Sequence, residues 1–311
     1  MRSVRLELSA VIVALVEQGD RLEPVVAMTR PPVGDPAPPD LPTAGFDPDR
    51  HPTLERTLRD WVAHSAGLSL GHVEQLYTFG DPARGLAGEG PHVVSIGYLA
   101  LARPQEAEGA AILWRLWREH FPWEDRRRPG RLVEEAVRPR LGGWIAAAPD
   151  GRRAERARLC FGLDGQSWRD ELALERYELL YSARLVAEAW RDRGLAPPDD
   201  LPPLGRPLPR DHRRILATAI GRLRGKLKYR PVLFELTPPA FTLLELQRAA
   251  EAVSGLGFHK QNFRRQVERS GLVEPTGATS GRGGGRPAAV WRYAPEASAE
   301  RRAASGRAGR E

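Results

Sequence analysis

Of the 311 residues only one, Cys160, is a cysteine, so no disulfide can form within the chain. A single thiol suits a reducing compartment, and Cys160 reads as buried packing and not as a nucleophile. Apolar runs long enough to span a bilayer are also missing. The one candidate, LSAVIVALV near the start, is flanked by Glu7 and Glu17 and followed by no small-residue cleavage site, so it reads as a buried strand and not as a secretory leader. These absences point to a cytoplasmic protein without a membrane partner. What is present is ordinary: 41% apolar residues over a length that predicts about two domains, each with its own core.

The first hundred residues alternate strand and turn signals. VRLELSAVIVALV and PVVAMTR read as strands, the Pro-rich PPVGDPAPPDLP as a loop, PTLERTLRDWVAHSAG as a helix, and HVEQLYTFG and HVVSIGYLALA as further strands. From about 106 to 197 the pattern becomes helical, with Trp114, Leu116 and Trp117, then Leu132, Val133 and Val137, then Leu172, Leu174, Tyr177, Leu179 and Leu180 at helical intervals. Aromatics at these spacings predict core. A second Pro-rich stretch, LAPPDDLPPLGRPLP, leads to DHRRILATAIGRLRGKLKYRP, a long basic helix ended by Pro231. Residues 296–311 lack apolar periodicity and are expected to be a disordered tail.

The last folded segment carries the strongest functional signal. Behind Thr242, a helix cap, Leu243, Leu246, Ala249, Ala250 and Val253 recur at helical spacing; Phe263 and Val267 repeat the pattern in a second helix. Two strand patterns, LVEPT and AVWRY, then flank a Gly/Arg loop. This is the outline of a winged helix. Its second helix carries Lys260, Gln261, Asn262, Arg264, Arg265 and Arg269 on its remaining faces, a set able to read guanine and adenine edges and to hold phosphates. Arg282 and Arg286 sit in the loop, as a backbone-contacting wing requires. Charge follows the same division: residues 206–293 hold 17 Lys and Arg against 6 Asp and Glu, a net +11 within a chain of only +7. Positive charge gathered in one third of a chain is the footprint of a polyanion partner.

One expected cluster is missing. GFDPDRHPTLERTLRDWVAHSAGL stands where the Nudix signature would lie, a helix whose paired glutamates hold Mg²⁺ against a diphosphate. Aligned on Gly67 and Leu68, the paired-glutamate positions hold His64 and Ser65; shifted by one, they hold Ala63 and His64. Only Glu55 and Asp60 remain, and no His, Cys or carboxylate stands three or four residues after His64. No catalytic residue and no metal ligand is assigned.

Together these blocks resemble the Nudix-related transcriptional regulators of NAD metabolism. VEQLYTFGDPARG with SIGYLAL, DLPPL with DHRRILATAIGRLRGKLKYRP, and FTLLELQ with HKQNFRRQVERSGLVEPTG and GGRPA carry the likeness over nearly the whole chain. FPWEDRRRPG and ELALERYELLY resemble the alphaproteobacterial branch that represses de novo NAD synthesis, the NadQ type. The resemblance implies an α+β fold: a Nudix-like α/β/α sandwich over residues 1–228 with a helical insertion at about 106–197, then a winged helix-turn-helix domain over 229–295. It further implies a repressor that acts as a homodimer on a palindromic double-stranded DNA operator, with an adenine nucleotide effector (NAD, ATP or ADP-ribose) and no required cofactor. On this reading Lys260, Asn262, Arg264 and Arg265 face DNA, and the effector pocket is bordered by Arg30, Phe46, Glu55, Phe79 and Asp81. The competing readings are a working Nudix hydrolase of ADP-ribose or dinucleotides with a basic appendage, and an RNA-binding protein. Missing carboxylates oppose the first, and missing aromatic stacking platforms in the basic region oppose the second.

Overall fold

The computed structural model describes residues 3–32, 34, 37–81, 92–104, 111–127, 131–148, 151–227, 231–281 and 287–294. Its centre is a six-stranded sheet built on one long strand, β1 (Val4–Gln18), whose alternation sends Leu8, Ala10 and Ile12 to one face and Val11, Val13 and Leu15 to the other. Along one edge β1 pairs in parallel with β5 (His92–Leu101), which in turn pairs antiparallel with β4 (Val73–Phe79). Along its other edge the C-terminal part pairs with β2 (Arg21–Thr29) and the N-terminal part with the short β3 (Thr43–Gly45). With β6 (Ile112–Leu116) on the far side of β2, the order is β4-β5-β1-β2-β6, with β3 beside β1.

Helix α1 (Leu54–Ala66) covers the first face. Thr53 caps its start, accepting from the Arg56 amide, and Gly67 ends it at φ 64°, a left-handed position that favours glycine. Leu58, Val62 and Ala66 are its buried stripe. On the second face lie α6 (His212–Leu227) and the helices between residues 131 and 191: a π-helical turn at Val133–Val137 running into α2 (Arg138–Ala146), then α3 (Arg152–Phe161), α4 (Ala173–Ser182) and α5 (Glu188–Arg191). These elements share one apolar cluster with the sheet, in which Phe121 meets Trp123 and Tyr177 edge to face. Cys160 lies in this cluster, its thiol pushed up to about 11 by burial. None of the described helices is long and apolar enough to cross a membrane.

The expectation of continuous helix from 106 fails at its first block. Residues Ile112–Leu116 form β6, antiparallel to β2 with Trp114 opposite Ala27, and only after Leu116 does a 3₁₀ turn begin at Trp117. Trp114 and Trp117 are three apart, a spacing that fits a helix; the open edge of β2 decides the conformation instead.

The remaining elements form the winged helix: β7 (Ala240–Thr242), α7 (Leu243–Ser254), α8 (Lys260–Ser270), β8 (Val273–Ser280) and β9 (Ala288–Tyr293), with sheet order β7-β9-β8. Thr242 and Glu245 make a reciprocal capping box, at 3.2 and 2.7 Å. Phe241, Leu243, Leu246 and Val273 are its core, joined by Phe263, Val267 and Trp291. Helix α7 is apolar on a second side too: Ala249, Ala252 and Val253 pack into the cluster of the large sheet. Two polar ties cross the same seam, Arg224 Nε to the Val253 carbonyl at 2.9 Å and the Arg126 amide to the Gly255 carbonyl at 2.8 Å. The division expected between residues 228 and 229 falls outside the described residues.

Candidate functional site

Helix α8 has no fully buried residue. Phe263 and Val267, half-buried, turn one stripe to the small core, and Phe263 stacks on Phe258 at 5.9 Å, which fixes the roll of the helix. With that stripe inward, Lys260, Gln261, Asn262, Arg264, Arg265 and Arg269 are all exposed. Arg265 donates to Asn262 Oδ1 at 2.9 Å, so two candidate base-reading groups are held together before any partner arrives. Among the described residues no carboxylate pairs with Lys260 or Arg264. Beyond α8, strands β8 and β9 run antiparallel into the loop expected to be the wing. Arg282 and Arg286, placed in that loop by sequence, lie outside the described residues.

The charge distribution differs from what the sequence count suggests. Of the basic residues in 206–293, Arg213 and Arg224 are buried, Arg213 on Glu188 at 3.1 Å and Arg224 on Glu124. Arg210 binds Glu7 at 2.6 Å and Asp40 at 3.1 Å; Arg214 binds Glu178; Arg222 and Lys226 share Glu74 at 2.9 and 2.7 Å. Much of the positive charge on α6 is therefore answered by the carboxylates of Glu74, Glu124, Glu178 and Glu188. The unanswered part lies on the winged helix.

Helix α1 offers no metal cradle. Glu55 accepts from Arg59 Nε at 2.9 Å and Asp60 from Arg56 Nε at 3.2 Å, both at the surface. Exposed His64 points Nδ1 at the Asp60 carbonyl, 2.6 Å away. Among the described residues no group of three or more His, Cys, Asp or Glu side chains could hold a metal ion. A hard divalent cation wants several oxygens converging on one point. The residues present do not fit the Mg²⁺ that a Nudix helix holds.

Of the five residues expected to border an effector pocket, the structure separates Phe79 from Glu55. Arg30 is exposed beyond β2, its amide on the Ala111 carbonyl; Phe46 is half-buried after β3; Glu55 is exposed in the first turn of α1; Asp81 is exposed after β4. Phe79 lies apart from Glu55. Its ring lies in the cluster under α6, with the Arg214 guanidinium 5.6 Å from its centroid, on the opposite face of the sheet from α1 and Glu55. A register irregularity between Gln75 and Thr78 turns Phe79 to the same face as Leu76, three residues earlier. Neither of two cavities among the described residues, of about 480 and 390 Å³, is lined by any of the five.

A polar knot, unforeseen in the sequence, fills the space between β1, β5 and the start of α6. Ser9 Oγ lies 2.7 Å from Ser95 Oγ and 3.5 Å from His212 Nε2; His212 Nδ1 bonds Asp40, which also accepts from Arg210. Burial pushes the Asp40 carboxyl up, but the His212 bond and the charges of His212 and Arg210 outweigh it and hold it below the usual carboxylate range. Serine, histidine and aspartate stand in the order of a hydrolytic triad. Ser9 is 0% and His212 2% exposed, so no substrate reaches the hydroxyl and the chain serves as a clamp on α6.

A family model described as the NrtR DNA-binding winged helix domain matches residues 233–293. The ADPR responsive transcriptional repressor NtrR of Acinetobacter baylyi is 42% identical over 84 residues, 27% of this chain and 33% of that protein. The chain thus matches about a third of the length of that curated relative. Among solved structures, NrtR of Shewanella oneidensis is similar with a TM-score of 0.53 at 20% identity, covering 94% of this chain and 95% of that one; the same protein complexed with a 27mer DNA gives 0.54. A MutT/nudix family protein of Enterococcus faecalis gives 0.51 at 17% identity, covering 94% and 88%. The fold is therefore a Nudix-like domain followed by a winged helix.

Proposed function

We propose that this chain is a ligand-responsive DNA-binding transcriptional repressor of NAD-biosynthesis genes, of the NadQ type, acting in the cytoplasm. The observation that carries the reading is α8: a surface helix presenting Lys260, Asn262, Arg264 and Arg265, rolled outward by Phe263 and Val267, inside the segment matched by a DNA-binding family model. The DNA-bound structure of a protein sharing this fold and the name of the Acinetobacter repressor support the same conclusion. One winged helix reads a short half-site, so the reading includes a homodimer on a palindromic operator with its two recognition helices about one DNA turn apart. Arg282 and Arg286, which the sequence puts in the loop between the last two strands, are on this reading the contacts to the DNA backbone. The effector is an adenine nucleotide, with ADP-ribose favoured by the Acinetobacter relative's name over NAD and ATP.

Gel shifts on an NAD-synthesis promoter, with and without ADP-ribose, NAD and ATP at one fixed salt concentration, test this directly. Retention of the promoter over scrambled DNA, altered by one of the three nucleotides, is expected. Equal retention of promoter and scrambled DNA would overturn it.

The Nudix-like domain on this reading is a sensor without hydrolysis, because the α1 carboxylates are committed to Arg56 and Arg59 and, among the described residues, no group of three metal-binding side chains is formed. Incubation with ADP-ribose and Mg²⁺ or Mn²⁺ is expected to yield no turnover approaching the ordinary enzyme range of about 1 s⁻¹ or more. A rate in that range would restore the hydrolase.

A further inference from the structure

Both Pro-rich segments meet at one place. Pro38 and Pro39 of the first and Pro207 and Pro209 of the second are walls of the cavity of about 480 Å³, which lies on the α6 face of the sheet beyond the end of β6. That volume is within the range of small-molecule sites, about 300–1,000 Å³. Proline fixes its own φ, so walls built from it are set before a ligand arrives and lose little freedom on binding. Their rings offer flat aliphatic faces suited to a nucleobase.

Charge within the cavity is uneven. Glu188 is taken by buried Arg213 at 3.1 Å, and Glu119 is faced by Arg206 at 3.6 Å. Arg191 donates to the Leu208 and Arg210 carbonyls and pairs with Asp192. Half-buried Arg115, on β6 opposite Val26, has no carboxylate partner among the described residues. At the wall, His120 donates from Nδ1 to the Arg206 carbonyl at 2.9 Å, while its buried Nε2 has no hydrogen-bond partner. An apolar cleft with one unanswered guanidinium and flat proline walls asks for a ligand bearing an anion and a flat ring.

We propose that this cavity binds a nucleotide through a phosphate on Arg115, and that it is the effector site of the regulator inferred above, on which reading this assignment rests. The location gives it leverage. Pro209 leads directly into the Arg210 and His212 clamp, and the Glu188–Arg213 pair ties the cavity floor to the first turn of α6. The far end of that helix carries Arg224, which holds the Val253 carbonyl of α7. A ligand that favours one position of the connector therefore biases α6, and α6 bears on the DNA-reading domain.

Calorimetry on the full chain with ADP-ribose, NAD and ATP in turn is the test, using the parent, Arg115→Gln and Ala187→Phe. Ala187 lines the cavity at a half-exposed position, so phenylalanine there fills the cleft. At least one nucleotide is expected to bind the parent, with affinity falling tenfold or more in each variant, while thermal melts show both variants folded. Failure of the parent to bind any of the three overturns the proposal, as does binding within twofold of the parent by both folded variants. Promoter retention by the parent is measured separately and tests the regulator itself, so a failed cavity and a failed regulator give different results.

Discussion

Replacing Glu124 by alanine is expected to cost about 3–5 kcal/mol of stability, the range for removing one partner of a buried ion pair. Glu124 is 1% exposed, and its carboxylate is met by Arg176 Nε at 2.6 Å, Arg176 Nη2 at 2.8 Å and Arg224 Nη1. Both guanidinium groups are fully buried, and each also donates to carbonyls, Arg176 to Cys160, Arg169 and Asp170, Arg224 to Val253 and Asp170. Alanine would leave two like charges in the interior, with the Asp170 carboxylate as the remaining opposing charge on Arg224. Because whole domains are stable by only about 5–15 kcal/mol, this is a large fraction of the total. Burial raises the carboxyl's pKa, but Arg176 and Arg224 more than reverse this and hold it below its ordinary value. Its stabilisation is therefore complete above the unfolded carboxylate range and is lost as pH falls through the lower folded value. Urea titrations of parent and Glu124→Ala measure the difference. A midpoint shift equivalent to less than about 1 kcal/mol, the level of an exposed pair, would show that the triad does not hold the interior together.

On the reader side, Arg264→Ala and Arg265→Ala are each expected to weaken promoter binding by about 1–3 kcal/mol, the worth of a bidentate base contact. A tenfold change corresponds to about 1.4 kcal/mol, so each variant loses roughly 5- to 150-fold. The two differ in origin. Arg264 has no carboxylate partner among the described residues and must be ordered on binding, whereas Arg265 is already braced by Asn262 at 2.9 Å. Asn262→Ala should therefore lower affinity both by losing its own contact and by freeing Arg265, and the Asn262 and Arg265 losses should not add. Arg282→Ala or Arg286→Ala should weaken promoter and scrambled DNA alike and flatten the salt dependence, as phosphate contacts do. Competition gel shifts at two salt concentrations separate these patterns. If all of these variants bind like the parent, α8 does not read DNA.

The strands, α1 and the winged helix were legible in the sequence because each has local periodicity and its own caps: β1 alternates, Thr53 and Thr242 stand at helix starts, and Gly67 at a helix end. What escaped depends on partners distant along the chain. Residues 112–116 are a strand because β2 has a free edge, and Phe79 faces α6 because β4 slips in register between Gln75 and Thr78. The charge count misled for the same reason: Arg222 finds Glu74 148 residues away, and Arg210 finds Glu7 203 residues away. FPWEDRRRPG and ELALERYELLY, legible only as a resemblance, supply Glu124 and Arg176, two parts of one buried triad. The two Pro-rich stretches read separately as loops; nothing in their spacing showed that they enclose a common cleft.

Helix α7 has two apolar sides, one for its own small core and one for the large sheet. Consequently the winged helix is not a cassette. A homologous winged helix grafted onto this body would have to bring small residues where Ala249 and Ala252 stand, a carbonyl where Val253 receives Arg224, and a glycine-like turn where Gly255 at φ 72° passes close to the Glu124 carbonyl. Inheritance is bound by the same seam: a substitution that enlarges α7 must be matched in β2 or α6, so the Nudix-like domain and the winged helix are constrained to diverge as one lineage of paired changes.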